Sequence, residues 1–153
     1  MLTAIVLDTG PLGLAASPGR TPEALDCQLW IAEQISAGRR VYVPEIADYE
    51  VRRELQLRNA TESITRLDVF NAAEDDRYLP ITTAAMRQAA RFWAAVRRAG
   101  LPTADRHALD ADVILAAQAM DLGVPEGELI VATTNVRHLA RLVPAARWQD
   151  IEP

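Results

Sequence analysis

At 153 residues, half of them hydrophobic, the chain can bury one substantial core, and it shows no repeat or Pro/Gly/Ser-rich linker, so residues 1–153 are read as a single domain. One cysteine, Cys27, excludes an intrachain disulfide or a cysteine zinc cluster; the lack of a basic leader and of any ~18-residue apolar run predicts a cytoplasmic protein with no membrane partner. The formal charge of −5 argues against general nucleic-acid binding, yet all 16 basic residues are arginine, the side chain best shaped for bidentate phosphate contact.

The chain opens MLTAIVLDTGPLG. Ala4-Ile5-Val6-Leu7 reads as a strand buried on both faces. Asp8 ends it, where open α/β sheets present their working groups; capping the following turn or helix is the plainer use of such an acid. Residues 23–37 read as a helix with Leu25, Leu29 and Ile35 among its apolar positions, ended by Gly38. Val41-Tyr42-Val43 is a short second strand, and Pro44 then suits the first position of a helix over residues 44–58. A helix over 62–73 and a short strand over 78–81 follow. A long helix over 83–99 is stopped by Gly100 and Pro102, before an Ala-rich helix over 109–121 and an apolar strand, Leu129-Ile130-Val131-Ala132. The alternation predicts an α/β layer fold with a mostly parallel sheet.

Candidate chemistry lies in the acids. Glu45, in the first turn of its helix, is favoured there by the helix dipole. Glu50 sits mid-helix with Glu54 four residues on, a repulsive pair, and Arg53 at i+3 as a compensating partner. At ~100° per residue Glu45 and Glu50 point about 140° apart, so one face cannot present both equally. Glu50 is the stronger candidate. In HALDADVILAAQAM, Asp110 is placed to cap the helix N-terminus and Asp112 falls in its first turn, followed by Val113, Ile114 and Leu115. An acid in such an apolar setting requires a metal, a cation or hydrogen bonds. Thr133-Thr134-Asn135 follows a strand as Asp8 does, although a turn or N-cap role is common for such an asparagine. Gathered at one sheet edge, the three carboxylates would raise one another's proton affinity unless a divalent cation bound there. Mg2+ suits such a site, because it takes few carboxylates and keeps water or phosphate oxygens as its other ligands. Phosphodiester hydrolysis is the matching chemistry.

These residues lie in LDTGPL, VPEIADYEVRREL, LDADVILAAQAM and VATTNVRHLARLVPAARW. Through these four motifs, in order, nearly the whole chain resembles the PIN-domain nucleases, particularly the VapC-like toxins of bacterial type II toxin–antitoxin modules. The resemblance implies a PIN-like three-layer α/β/α sandwich that binds Mg2+ or Mn2+ and cleaves RNA as an endoribonuclease. By motif, Asp8 matches the first acid, Glu50 the glutamate of the helix after the second strand, and Asp112 the acid before the paired alanines. These three are the implied metal ligands. Thr133 and Asn135 match a Thr-x-Asp/Asn motif in which many relatives carry aspartate; the amide supplies an oxygen without charge, with Asp110 as a neighbouring acid. The implied catalytic set is Asp8, Glu50, Asp112 and Asn135, with Asp110 and Thr133 in a second tier. The resemblance also implies a homodimer, and an antitoxin whose tail occupies the cleft.

Arg39-Arg40, Arg52-Arg53 and Arg97-Arg98 are candidate guides for an RNA backbone, each also explicable as a solvated surface pair. Asp8-Thr9-Gly10 spells the motif of aspartic proteases, but those enzymes are β-rich and need two copies. A haloacid-dehalogenase phosphotransferase would need an acid where Gly10 stands. Neither His107 nor His138 has metal-ligand spacing, and no G-x-S-x-G or phosphate-cradling glycine loop is present. The rival that remains is a non-catalytic PIN-like module that binds RNA or protein, kept open by Asn135.

Overall fold

Strand β1 (Ala4–Leu7) is buried along its whole length, as an unbroken aliphatic run at the centre of a parallel sheet should be. In the computed structural model, which describes residues 1–100 and 106–153, it is followed by α1 (Thr9–Ala16), α2 (Pro22–Ser36), β2 (Arg40–Pro44), α3 (Glu45–Leu57), α4 (Thr61–Ala72) and β3 (Tyr78–Leu79). Then come α5 (Thr83–Arg98), α6 (Arg106–Asp121), β4 (Leu129–Thr133), α7 (Val136–Leu139), β5 (Ala145–Arg147) and a 3-10 turn over Trp148–Asp150. The expected helix stop at Pro102 lies outside the described residues.

All five strands are parallel, in the order β3-β2-β1-β4-β5. The chain builds outward from β1 through β2 to β3, then crosses back to add β4 and β5 on the other side. The reversal falls between β1 and β4, and parallel α/β sheets place their sites beyond the carboxyl ends of strands at such a switch point. Register completes the arrangement: Leu7 pairs with Ala132, and Asp8 N donates to Ala132 O at 2.9 Å. Asp8 and Thr133 therefore leave the sheet side by side.

Helices cover the sheet to give the α/β sandwich expected. The main core joins Ile5, Leu7, Val43 and Val131 of the strands to Leu12, Trp30, Ile31, Val51 and Leu67 of the helices. A second cluster holds α5 to α6 through Ala85, Ala89, Val96, Leu109, Val113 and Ala117, and Phe92, Ile114 and Leu142 pack against both clusters. At the far end of the chain Trp148 meets the Trp30 ring, centroids 5.7 Å apart. Trp30 Nε1 and Gln34 Nε2 both donate to Ile151 O. No helix among the described residues is long and apolar enough to cross a membrane.

Several local expectations are corrected. Helix α1 was not anticipated: TGPLGLAA has two glycines and a proline, poor helix formers, but Pro11 sits in the first turn where no amide is required. Burial of Pro11, Leu12, Ala15 and Ala16 then holds the helix. On α2 the expected apolar residues Leu25, Leu29 and Ile35 are exposed, and the core side is Ala24, Cys27, Trp30, Ile31 and Gln34. Pro44 ends β2 and caps α3 rather than opening it. Strand β3 stops at Leu79, short of Ile81. Helix α6 begins at Arg106, so Asp110 is no N-cap and Asp112 lies beyond the first turn. Strand β5 and helix α7 are additions.

Candidate active site

Asp8 both closes β1 and opens α1. Its Oδ1 accepts from Thr9 N at 2.7 Å, the capping use foreseen for it. Its Oδ2 accepts from Thr133 Oγ1, also at 2.7 Å, and this second bond comes from the neighbouring strand. Thr133 is fully buried, and its hydroxyl oxygen accepts in turn from Asn135 N at 2.9 Å. On the other side, Thr9 Oγ1 donates to Glu50 Oε1 at 3.1 Å, while Glu50 Oε2 stands 3.5 Å from Arg53 Nη2. One hydrogen-bonded chain thus runs Asn135–Thr133–Asp8–Thr9–Glu50, and it fixes the carboxylates of Asp8 and Glu50 through Thr9, 41 residues before Glu50.

Glu50 reaches this chain because Ile46, Ala47, Val51 and Leu55 hold the other side of α3 against the core. Glu45, one and a half turns earlier, is used differently: it accepts from Tyr78 Oη at 3.2 Å and Ile81 N at 3.3 Å, anchoring β3. The geometric choice between the two glutamates is therefore resolved by position.

Asp112 completes the cluster from α6. Burial pushes its carboxyl up, and the charges of Asp8 and then Glu50 push it further, to about 7, with Arg141 opposing. The Glu50 carboxyl is also raised, first by burial and then by Asp8, against the Thr9 hydroxyl and Arg53. The charge of Asp8 thus bears on both carboxyls, and that of Glu50 on Asp112. Arg141 is held beside it by His138, its Nη2 3.1 Å from Nδ1.

The structure does not bring the other two expected residues into this chain by their side chains. Asn135 joins through its backbone amide; its side chain is exposed and forms no hydrogen bond among the described residues. Asp110 lines a different hollow, between α5 and α6, with Met86, Trp93 and Ile114. Two contributors were missed. Thr9 links two carboxylates, a role its place beside Asp8 could have suggested. Gly10 is required by closeness: a Cβ there would stand 2.6 Å from Thr134 Cγ2 and 2.8 Å from its Oγ1. Gly10→Ala should leave stability within about 1 kcal/mol, because alanine's helix propensity offsets the strain. It should depress any activity of the site by pushing on the loop that carries Thr133 and Asn135. Adding Thr134→Ala should restore the rate, a coupling that a double-mutant cycle measures directly.

Among the described residues no group of three His, Cys, Asp or Glu side chains forms a ready ligand sphere for a metal ion. The donor chemistry still fits Mg2+ or Mn2+, since such ions need only one or two direct carboxylates and retain water. The raised Asp112 carboxyl marks negative charge that no side chain fully neutralises. Cys27 takes no part: it is buried, bonded to Pro11 O, and its thiol is pushed up to about 12 by burial and Glu23.

No protein-family model and no curated protein sequence matches the chain. Solved structures do. A chain of VapBC2 from Rickettsia felis, bound to a DNA fragment from its promoter, superposes with a TM-score of 0.70 at 12% identity, covering 95% of this chain and 99% of that one. A chain of VapBC-1 from nontypeable Haemophilus influenzae gives 0.68 at 17% identity, over 97% and 100%. A chain of DNA-bound VapBC from Salmonella typhimurium gives 0.64 at 21%, over 97% and 99%. The shared fold is thus complete from end to end, and it is the PIN-like sandwich that the sequence motifs implied.

Proposed function

We propose that the protein is a metal-dependent endoribonuclease, acting as the toxin of a toxin–antitoxin pair. The observation that carries this reading is the hydrogen-bonded chain that ties Asp8, just beyond β1, to Glu50 of α3 at the switch point of the sheet, with the Asp112 carboxyl of α6 raised by the charges of both. Fold likeness to chains of VapBC complexes supports a cognate antitoxin as a partner; RNA as substrate and a homodimer belong to the same proposal.

Asp8, Glu50 and Asp112 would hold Mg2+ or Mn2+, with at least one of them acting through water. When bound, the ion supplies positive charge to the phosphoryl oxygen and the leaving alkoxide, and lowers the pKa of water. The chain's own part is orientation. Thr9 N and Thr133 fix both oxygens of Asp8, and Thr9 and Arg53 fix Glu50. Asp112, whose proton affinity is raised by burial, Asp8 and Glu50, would bind the ion in its deprotonated form, so that binding would be linked to proton release.

Incubation of purified protein with structured and unstructured RNA, in Mn2+, Mg2+ or EDTA, tests the proposal. Cleavage should require the metal and disappear in Asp8→Asn. Cleavage that persists in EDTA rejects the mechanism. Tight RNA binding without cleavage favours the non-catalytic module, the reading that the neutral Asn135 side chain and the lack of a preformed ligand sphere support. Induction in a bacterial host should arrest growth; harmless accumulation of active nuclease would remove the toxin role.

A further inference from the structure

Helix α5 reads TAAMRQAARFWAAVRR: four arginines and no acid, in a chain whose formal charge is −5. At ~100° per residue, Arg87, Arg91 and Arg98 fall within about 40° of one another. They lie opposite the inward-facing Ala85, Ala89 and Val96. All three are exposed, and the exposed positions beside them, Ala84 and Ala95, are small. None of the four α5 arginines forms an ion pair among the described residues, whereas Arg52 and Arg53 of α3 are both paired with acids. Helix energetics account for Arg98, a cation in the last turn where the dipole favours one, but not for the rest of the ridge. Arg87 and Arg91 repel at i, i+4, and the first turn of α5 carries no acid, although a helix N-terminus favours one.

Along its axis the ridge spans the same stretch of the molecule as α6, on the side of α5 turned away from it. Thr82, which caps α5, donates to Asp121 at the end of α6 at 2.7 Å, so the two packed helices run antiparallel. Counted from that anchor, Arg91 is about level with Asp112, and Arg98 with the start of α6. Beside the ridge, Met86 and Trp93 open a hollow of about 390 Å3 against α6, and Arg97 stacks over Trp93 at 5.4 Å.

We infer that the outward face of α5 is an RNA backbone-binding surface, with Arg87, Arg91 and Arg98 on phosphates of a strand whose scissile bond lies in the acid cleft. This rests on the nuclease reading above. A second copy of the chain is disfavoured as occupant, since a two-fold contact through this ridge would set arginine against arginine.

The test uses a 5′-labelled single-stranded RNA oligonucleotide in EDTA, with affinity followed by fluorescence anisotropy over a salt series. Arg87→Gln/Arg91→Gln/Arg98→Gln should bind about tenfold or more weakly near 0.1 M salt, with the log–log salt slope shallower by about 2, roughly 0.7 per lost phosphate contact. Arg20→Gln/Arg58→Gln/Arg147→Gln removes the same charge elsewhere and should bind like the parent. In Mn2+ the α5 variant should raise KM while kcat stays within about twofold. Unchanged affinity and slope, or an equal loss in the control variant, overturns the inference. So does a change in self-association without a change in RNA affinity. Cleavage with an unchanged KM rejects the surface and leaves the nuclease; parent protein that binds RNA through α5 but never cleaves it leaves the surface and rejects the nuclease.

Discussion

Asp112→Asn should stabilise the metal-free protein at pH 8 while cutting RNA cleavage by on the order of a thousandfold, the scale seen when a charged member of a catalytic set is removed. The gain in stability follows from linkage. The Asp112 carboxyl is held at about 7 in the folded chain by burial and by Asp8 and Glu50, against a usual 3.8. The folded state thus binds more protons than the unfolded state between these values, and stability falls as pH rises through that window. Full conversion of the shift would give about 4 kcal/mol; because the group is partly exposed, about 1–3 kcal/mol is the realistic range. Asparagine carries no such cost, so its advantage should be absent near pH 4, grow towards pH 7 and then level off. Thermal unfolding in EDTA across that range measures it. Mn2+ should reverse the order, raising the midpoint of the parent protein more than that of the variant. A variant less stable than the parent at pH 8 in EDTA would show that the three acids do not share a charged cleft.

The same electrostatic tension explains which parts of the site are legible in the sequence. Asp8 can be read because an aliphatic run ending on an acid is a local pattern, and Asp112 because a carboxylate among Val113, Ile114 and Leu115 is anomalous wherever the helix begins. Glu50 needs helix geometry as well, and even then only the fold shows that Glu45 is engaged with Tyr78 and Ile81 instead. Thr9, suggested only by its place beside Asp8, and Gly10 are harder to read for a different reason. Their roles exist only relative to Glu50 and Thr134, residues on other elements. Local rules fail for α1, whose glycines and proline argue against a helix until burial of Leu12 and its neighbours is counted. They fail for α2 in the opposite sense: Leu25 and Leu29 have the right character for a core, yet Trp30 and Gln34 take the inner face because Ile151 O lies there to receive them. The start of α6 was placed too late because Asp110 offers a persuasive cap. The parallel sheet, by contrast, follows from the alternation of strand and helix, and the unbroken aliphatic run of β1 fits its central place; the strand order and β5 were not legible.

Thr133 provides the second large effect, since one buried hydroxyl serves both arms of the site. It donates to Asp8 Oδ2 and accepts from Asn135 N. Thr133→Val keeps the volume and removes both bonds, leaving Asp8 free to turn about the bond to Thr9 N and the Asn135 amide without its partner. The expected cost is about 1–3 kcal/mol of stability, with a 10- to 100-fold loss of Mn2+ affinity and cleavage, the usual penalty for removing a group that orients a ligand. Thr133→Ser makes the opposite exchange. It retains the hydroxyl and removes a methyl group from a fully buried position, so it should lose about 1 kcal/mol of stability yet keep metal affinity and rate within a few-fold of the parent. The pair separates packing from orientation: if serine and valine lose activity in proportion to stability, the hydroxyl is only filling space, and if valine alone loses metal affinity, it is aiming Asp8. Mn2+ titration followed by thermal shift reads this without reference to any RNA substrate. It therefore tests the architecture of the site independently of the proposed cleavage reaction.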